Sequence, residues 1–134
     1  MKALIVEDDV STRLILQEMF KPYTTDCHVA VNGVEALEAV KIAIDGNAPY
    51  DLISLDIMMP KMDGKEALKK IRALEKERGI GGYNMVKIIM VSALSDAKSI
   101  MTSFTQGPCE AYLVKPLRKR DLEQTLENFG FFKL

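Results

Sequence analysis

The sequence predicts an α/β fold of five βα units, and three observations carry that reading. The period of the apolar pattern switches repeatedly between short strand-like runs and longer helix-like segments. From the second strand to the fifth the runs are nearly continuous in Val, Ile, Leu or Ala, as expected when helices cover both faces of a parallel sheet. Four runs end on reactive side chains: Val6 on Glu7-Asp8-Asp9, Leu55 on Asp56, Val91 on Ser92 and Val114 on Lys115. In open sheets of this class ligands bind outside the carboxyl ends of the strands, so carboxylates, a hydroxyl and an amine should converge at one edge.

Strands are expected near residues 2–7, 27–31, 51–56, 87–92 and 110–114. The first helix should start around Ser11 as its cap and stop before Pro22, which cannot continue the hydrogen-bond ladder. Asn32-Gly33 supplies a turn before Val34–Val40, whose apolar positions recur at helical spacing until Asp45-Gly46-Asn47-Ala48-Pro49 ends the helix. A third helix is expected from about Lys65 to Lys76, broken by Gly79, Gly81 and Gly82. That glycine segment precedes a strand rather than joining a strand to a helix, so it reads as a plain loop. A fourth helix should span roughly 96–106, stopped by Gly107-Pro108, and a fifth roughly 118–128. The tail Phe129-Gly130-Phe131-Phe132-Lys133-Leu134 is expected to fold back on the core, since three exposed phenylalanines would form a sticky patch.

With 134 residues the chain fits one domain able to bury a core without disulfides or a structural metal. Eighteen basic against nineteen acidic residues leave a net charge of −1, so no broad basic surface points to nucleic acid or anionic lipid. A mean hydropathy of +0.01 and the lack of a long apolar stretch exclude a membrane span. Met1-Lys2 runs straight into a strand pattern without signal-peptide features, so a cytoplasmic location is expected. Cys27 and Cys109 lack metal-ligand spacing and read as core thiols. His28 is the single histidine and reads as a strand-surface residue, so neither a histidine triad nor a His-rich metal site can be built.

Asp8, Asp9 and Asp56 would lie together if the first and third strands are neighbours. Three carboxylates in one pocket repel one another, and a hard divalent cation relieves that; all-oxygen ligands select Mg²⁺ or Mn²⁺ over zinc. The plain alternative is that these acids are loop solubilisers or helix caps. Lys115 and Ser92 at equivalent strand ends weigh against it. A carboxylate beside a cation and an amine suits phosphoryl transfer, with Asp56 as nucleophile and Lys115 neutralising phosphoryl oxygens. Ser92 offers a hydrogen bond to such an oxygen, and small Ala93 leaves room for a backbone N–H to do the same. No histidine or second base equips the chain for fast turnover on a small substrate.

The segments Val6-Glu7-Asp8-Asp9, Leu55-Asp56-Ile57-Met58-Met59-Pro60, Met62-Asp63-Gly64, Val91-Ser92-Ala93 and Tyr112-Leu113-Val114-Lys115-Pro116 are, in order and spacing, similar to the receiver domain of two-component response regulators. The resemblance, to stand-alone chemotaxis-type receivers, covers nearly the whole chain. It implies a (βα)5 flavodoxin-like three-layer sandwich, parallel strand order 2-1-3-4-5, one receiver domain over 1–134 and a cis Lys115–Pro116 bond. It implies that Asp56 takes a phosphoryl group from a histidine kinase or histidine phosphotransfer protein. Asp8, Asp9, Asp56 and the Met58 carbonyl would hold Mg²⁺, while Ser92 and Lys115 contact the phosphoryl group.

By the same resemblance, Tyr112 is a switch aromatic that turns inward as Ser92 moves toward the phosphoryl group. The face of the fourth helix, fifth strand and fifth helix would then change, with Lys98, Ser99, Thr102, Lys119 and Glu123 contributing. Met58 and Leu94 would flank access to the aspartyl phosphate, and both are apolar. The expected output is phosphorylation-dependent binding of a downstream protein, or a homodimer, with no direct nucleic-acid or membrane partner. The alternatives are a phosphorelay intermediate and the receiver part of a longer regulator with a DNA-binding or enzymatic output domain. A small metal-dependent phosphohydrolase would need a water-activating base that the sequence does not offer.

Overall fold

The computed structural model describes residues 1–93 and 109–134; the expected fourth helix, Leu94, Lys98, Ser99, Thr102 and Gly107-Pro108 lie outside them. Five parallel strands, β1 (Lys2–Val6), β2 (Asp26–Ala30), β3 (Leu52–Asp56), β4 (Lys87–Ala93) and β5 (Ala111–Lys115), form one sheet in the order β2-β1-β3-β4-β5. The described helices are α1 (Val10–Phe20), α2 (Gly33–Asp45), α3 (Gly64–Glu77) and α4 (Lys119–Asn128), the last being the fifth helix of the sequence reading. The architecture is the flavodoxin-like (βα)5 arrangement that the motifs implied. Among the described residues, no helix is long and apolar enough to cross a membrane.

Alternation along the central strands sends side chains to two apolar layers. Leu4, Val6, Ile53, Leu55, Ile88 and Met90 pack with α2 and α3 residues such as Val40, Leu68 and Ile71. Ala3, Ile5, Leu52, Ile89 and Val91 pack on the other face with Leu16 and Phe20 of α1 and Leu122 and Leu126 of α4. Each fully buried Leu or Ile contributes about 1.5–3 kcal/mol. These layers therefore outweigh the electrostatic strain that the sheet carries at one edge.

Register delivers that edge. Val6 pairs with Leu55, Asp56 with Val91 and Ala93 with Lys115, so β1, β3, β4 and β5 end side by side. Strand bounds agree with the sequence to within a residue, but β2 is not the buried run expected, because Asp26, His28 and Val29 are exposed. An edge strand has one neighbour and an open flank, which is also why β5 is only half-buried. His28 faces outward as expected, its Nδ1 2.7 Å from the Tyr50 hydroxyl. Both cysteines are free and half-buried, at the margins of the core rather than within it.

The starts of α1, α2 and α3 share one device: Asp9, Asn32 and Asp63 are N-caps whose side-chain oxygens accept the amides of Thr12, Glu35 and Glu66, each at 2.9 Å. The cap of α1 is thus Asp9 and not Ser11, which lies inside the helix. Pro22 ends α1 as expected, within the 3-10 turn Lys21–Tyr23. Both chain ends dock on that turn, the Met1 amine donating to the Tyr23 carbonyl (3.1 Å) and the Leu134 amide to that of Pro22 (2.8 Å). Phe129 and Phe131 fold back on the core as expected, edge to face at 6.5 Å, whereas Phe132 stays exposed.

Candidate functional site

Four strand ends and two loops build one acidic pocket. Asp56, the last residue of β3, is 4% exposed; Glu7, which extends β1 by donating its amide to the Ala30 carbonyl (3.0 Å), is wholly buried. Glu7, Asp8 and Asp56 bring carboxylate oxygens within 4.8 Å of one another. Lys115, at the end of β5, sets its Nζ 3.2 Å from Glu7 Oε1 and 3.7 Å from Asp56 Oδ1. The Lys115–Pro116 bond is cis. Ser92 is buried at the end of β4, and its hydroxyl donates to the Ala93 carbonyl at 3.1 Å.

The expected trio of Asp8, Asp9 and Asp56 is corrected at one position. Asp9 lies outside the cluster, because its Oδ2 accepts both the amide (2.9 Å) and the hydroxyl (2.7 Å) of Thr12 as it caps α1. Those two hydrogen bonds hold its carboxyl below the usual range. Glu7 takes the inner place instead. The local sequence offers both Asp9 and Ser11 as caps, and only the Thr12 hydrogen bonds single out Asp9 and leave the inner place to Glu7.

Electrostatics follow from burial. Burial first, and then the Glu7 charge, lift the Asp56 carboxyl to about 7, although Lys115 and the Met58 amide (3.3 Å from Oδ1) pull the other way. Burial works against the Lys115 ammonium, but Asp56 and Glu7 outweigh it, and its pKa rises. Among the described residues, one ammonium therefore serves a cluster of three carboxylates. Glu7 Oε2 is buried with no hydrogen-bond partner among the described residues, at a typical cost of about 1–3 kcal/mol. An all-oxygen donor set with an orphaned buried oxygen fits a hard divalent cation such as Mg²⁺ or Mn²⁺.

The loop from Ile57 to Asp63 closes the pocket. Gly64 donates its amide to the Ile57 carbonyl (2.8 Å), and a Cβ on Gly64 would fall on the Asp56 carbonyl oxygen, so only glycine allows this return. Met58 stands at the mouth, 60% exposed. Tyr112 lies on β5 facing the α2/α3 layer, half-buried. Of the described residues expected on the output face, Lys119 is exposed, while Glu123 is engaged by Lys133 at 2.8 Å.

Residues 3–127 match the family model described as the response regulator receiver domain. The chain belongs to that family. The receiver is 31% identical over 96% of its length to hybrid signal transduction histidine kinase A of Dictyostelium discoideum, covering 6% of that protein. It spans no more than about half of the first curated relatives it matches, 53% at most. Among solved structures, it is similar to the Saccharomyces cerevisiae Ssk1 receiver domain crystallised with the histidine phosphotransfer protein Ypd1. Identity there is 30% and the TM-score 0.80, over 97% of this chain and 88% of that one. The CheX–CheY–BeF3–Mg²⁺ complex of Borrelia burgdorferi matches at 28% identity and a TM-score of 0.77, over 97% and 89%. Phosphorylation and Mg²⁺ chemistry belong to receivers generally, and the Glu7, Asp8 and Asp56 cluster resembles their magnesium site. Receivers modify themselves rather than turn over a substrate, and their general partners are histidine kinases and phosphotransfer proteins.

Proposed function

We propose that this chain is a phosphoaspartate-accepting signalling receiver, one domain over 1–134, with Asp56 as the acceptor. The observation that carries the reading is a buried carboxylate, lifted to about 7, lying 3.7 Å from an ammonium at the open end of the sheet. An Asp56 oxygen attacks the phosphorus of a phosphohistidine; the new P–O bond forms on Asp56 as the P–N bond breaks, and imidazole leaves with a proton. Lys115 neutralises a phosphoryl oxygen, and the Ser92 hydroxyl turns from the Ala93 carbonyl to donate to another.

Asp8, Asp56 and the Met58 carbonyl, backed by Glu7, are the groups that would hold Mg²⁺ or Mn²⁺. A bound cation supplies the charge neutralisation that lets a phosphoryl group enter an acidic pocket. As Ser92 moves, Tyr112 follows, and the β5–α4 face carries the signal to a protein target or a second copy. Support for a histidine phosphotransfer partner lies beside the pocket. Val10, Leu14 and Ile15 on α1 are about half exposed, and Thr12, Ile15, Lys115, Pro116 and Leu117 line a concavity of about 450 Å³. The length of the curated relatives favours a second reading, in which this receiver is one part of a longer regulator with its own output domain.

Acetyl phosphate with Mg²⁺ tests the assignment. Intact mass should rise by one phosphoryl group in wild type and not in Asp56→Asn, whose amide keeps the shape but loses the nucleophile. Equal labelling of the two proteins overturns it.

A further inference from the structure

Gly33 is the first residue of α2, far in sequence from the pocket acids, yet it touches the loop that forms the pocket wall. A Cβ on Gly33 would come within 2.7 Å of the Met62 carbonyl oxygen and 2.9 Å of the Met62 Cβ and Cγ. Its φ lies outside the left-handed region, so what the position requires is space. A backbone oxygen cannot yield as a flexible side chain would. Any larger residue must push α2 or the loop.

The loop has little freedom to absorb such a push. Its ends are tied by the Gly64 amide on the Ile57 carbonyl, and its middle is folded tightly, with Lys61 at φ 66° and the Met62 amide on the Pro60 carbonyl at 2.7 Å. Met62 itself is 8% exposed and packed into the α2/α3 layer. Displacement at Met62 is therefore passed along the loop to Met58, whose amide bonds Asp56 Oδ1.

We propose that Gly33 is a positioning residue for the acidic pocket: by letting the start of α2 lie directly against Met62, it fixes the loop that presents Met58 to Asp56. The inference rests on the proposed cation and phosphoryl reading, and deepens it by assigning pocket geometry to a residue that touches neither.

Gly33→Ala is compared with Val40→Ala, which empties a buried site about two turns further along the same helix. Two readouts are used: calorimetric titration with MgCl2, and amide hydrogen exchange of Gly64 without metal. Gly33→Ala should weaken Mg²⁺ binding about tenfold, the scale of an outer-sphere defect, and should speed Gly64 exchange relative to the β1 amides. Val40→Ala should lower the melting temperature while leaving Mg²⁺ affinity and Gly64 exchange near wild type. If Gly33→Ala does not fold, Met62→Ala removes the Cγ that faces Gly33 and should show the same two defects. Wild-type values in the folded Gly33→Ala or, failing that, in Met62→Ala overturn the role of Gly33, as do equal defects in Val40→Ala. A wild type that neither binds Mg²⁺ nor takes a phosphoryl group overturns the functional reading itself.

Discussion

Two partly buried charge clusters sit at opposite ends of the same sheet. At the amino ends of β4 and β5, Arg72 of α3 donates to Glu75 (2.7 Å), to the Val86 carbonyl (2.9 Å) and to both oxygens of Glu110 (2.9 and 3.0 Å). The second Glu75 oxygen accepts the Val86 amide at 2.8 Å, and Glu110 Oε2 also accepts that of Ile88 at 2.6 Å. Every carboxylate oxygen there has a donor. At the carboxyl ends, among the described residues, a cluster of three acids has one ammonium and Glu7 Oε2 has no hydrogen-bond partner. Burial of charge is common to both, so burial does not mark the functional end. Unfilled hydrogen-bonding capacity does, because a saturated network holds a fold together and an unsaturated one is ready to receive something.

The largest effect expected of that contrast is at the saturated end. Arg72→Met strands Glu75 and Glu110 without their cation and should cost about 3–5 kcal/mol, read by urea unfolding. A loss below that of an exposed control such as Lys69→Met would show that the cluster is not a working network. Next comes the unsaturated end. Mg²⁺ at a hundred times its dissociation constant should stabilise wild type by about 2.7 kcal/mol and Asp56→Asn by clearly less. An equal gain in both proteins would move the ion elsewhere.

Without metal, Asp56→Asn should be the more stable protein above neutral pH, by on the order of 1–2 kcal/mol. The sign follows from the raised pKa. Folded Asp56 titrates at about 7 and the unfolded carboxyl near 3.8, so between these values the folded state holds the extra proton. Its contribution is complete below 3.8 and is lost as pH rises through about 7. Melts in EDTA from pH 4 to 8 should therefore show the variant's advantage growing with pH; a constant difference would mean that Asp56 does not carry the strain. The smallest effect separates Asp9 from the cluster. Asp9→Ala should melt lower because α1 loses its cap, with Mg²⁺ affinity near wild type. If it instead melts higher and binds Mg²⁺ poorly, Asp9 shares the pocket after all.

Element positions were legible because the apolar period is a local signal, whereas strand order came only from the resemblance that the motifs carry; the register then sets Asp56, Ser92 and Lys115 at the ends of neighbouring strands. The choice between Glu7 and Asp9 was not legible. Three acids in a row are equivalent until one knows where the strand stops and the helix cap starts, and the Thr12 hydrogen bonds decide that. Arg72 was invisible for a different reason: with Glu75 three residues on it reads as one more surface ion pair of α3, and the partners that mark it as buried lie 14 and 38 residues away. Gly33 read as a turn residue, whereas its φ is ordinary and the clash it avoids is with a loop that only the fold brings near.

Docking of Met1 and Leu134 on one turn makes the described chain close to a ring, with its seam at the corner where β1 begins. A linker of a few residues across that seam should yield circular permutants with new ends in surface loops. Cargo tethered at either terminus would hang from the sheet's far end, leaving the approach to Asp56 unshadowed.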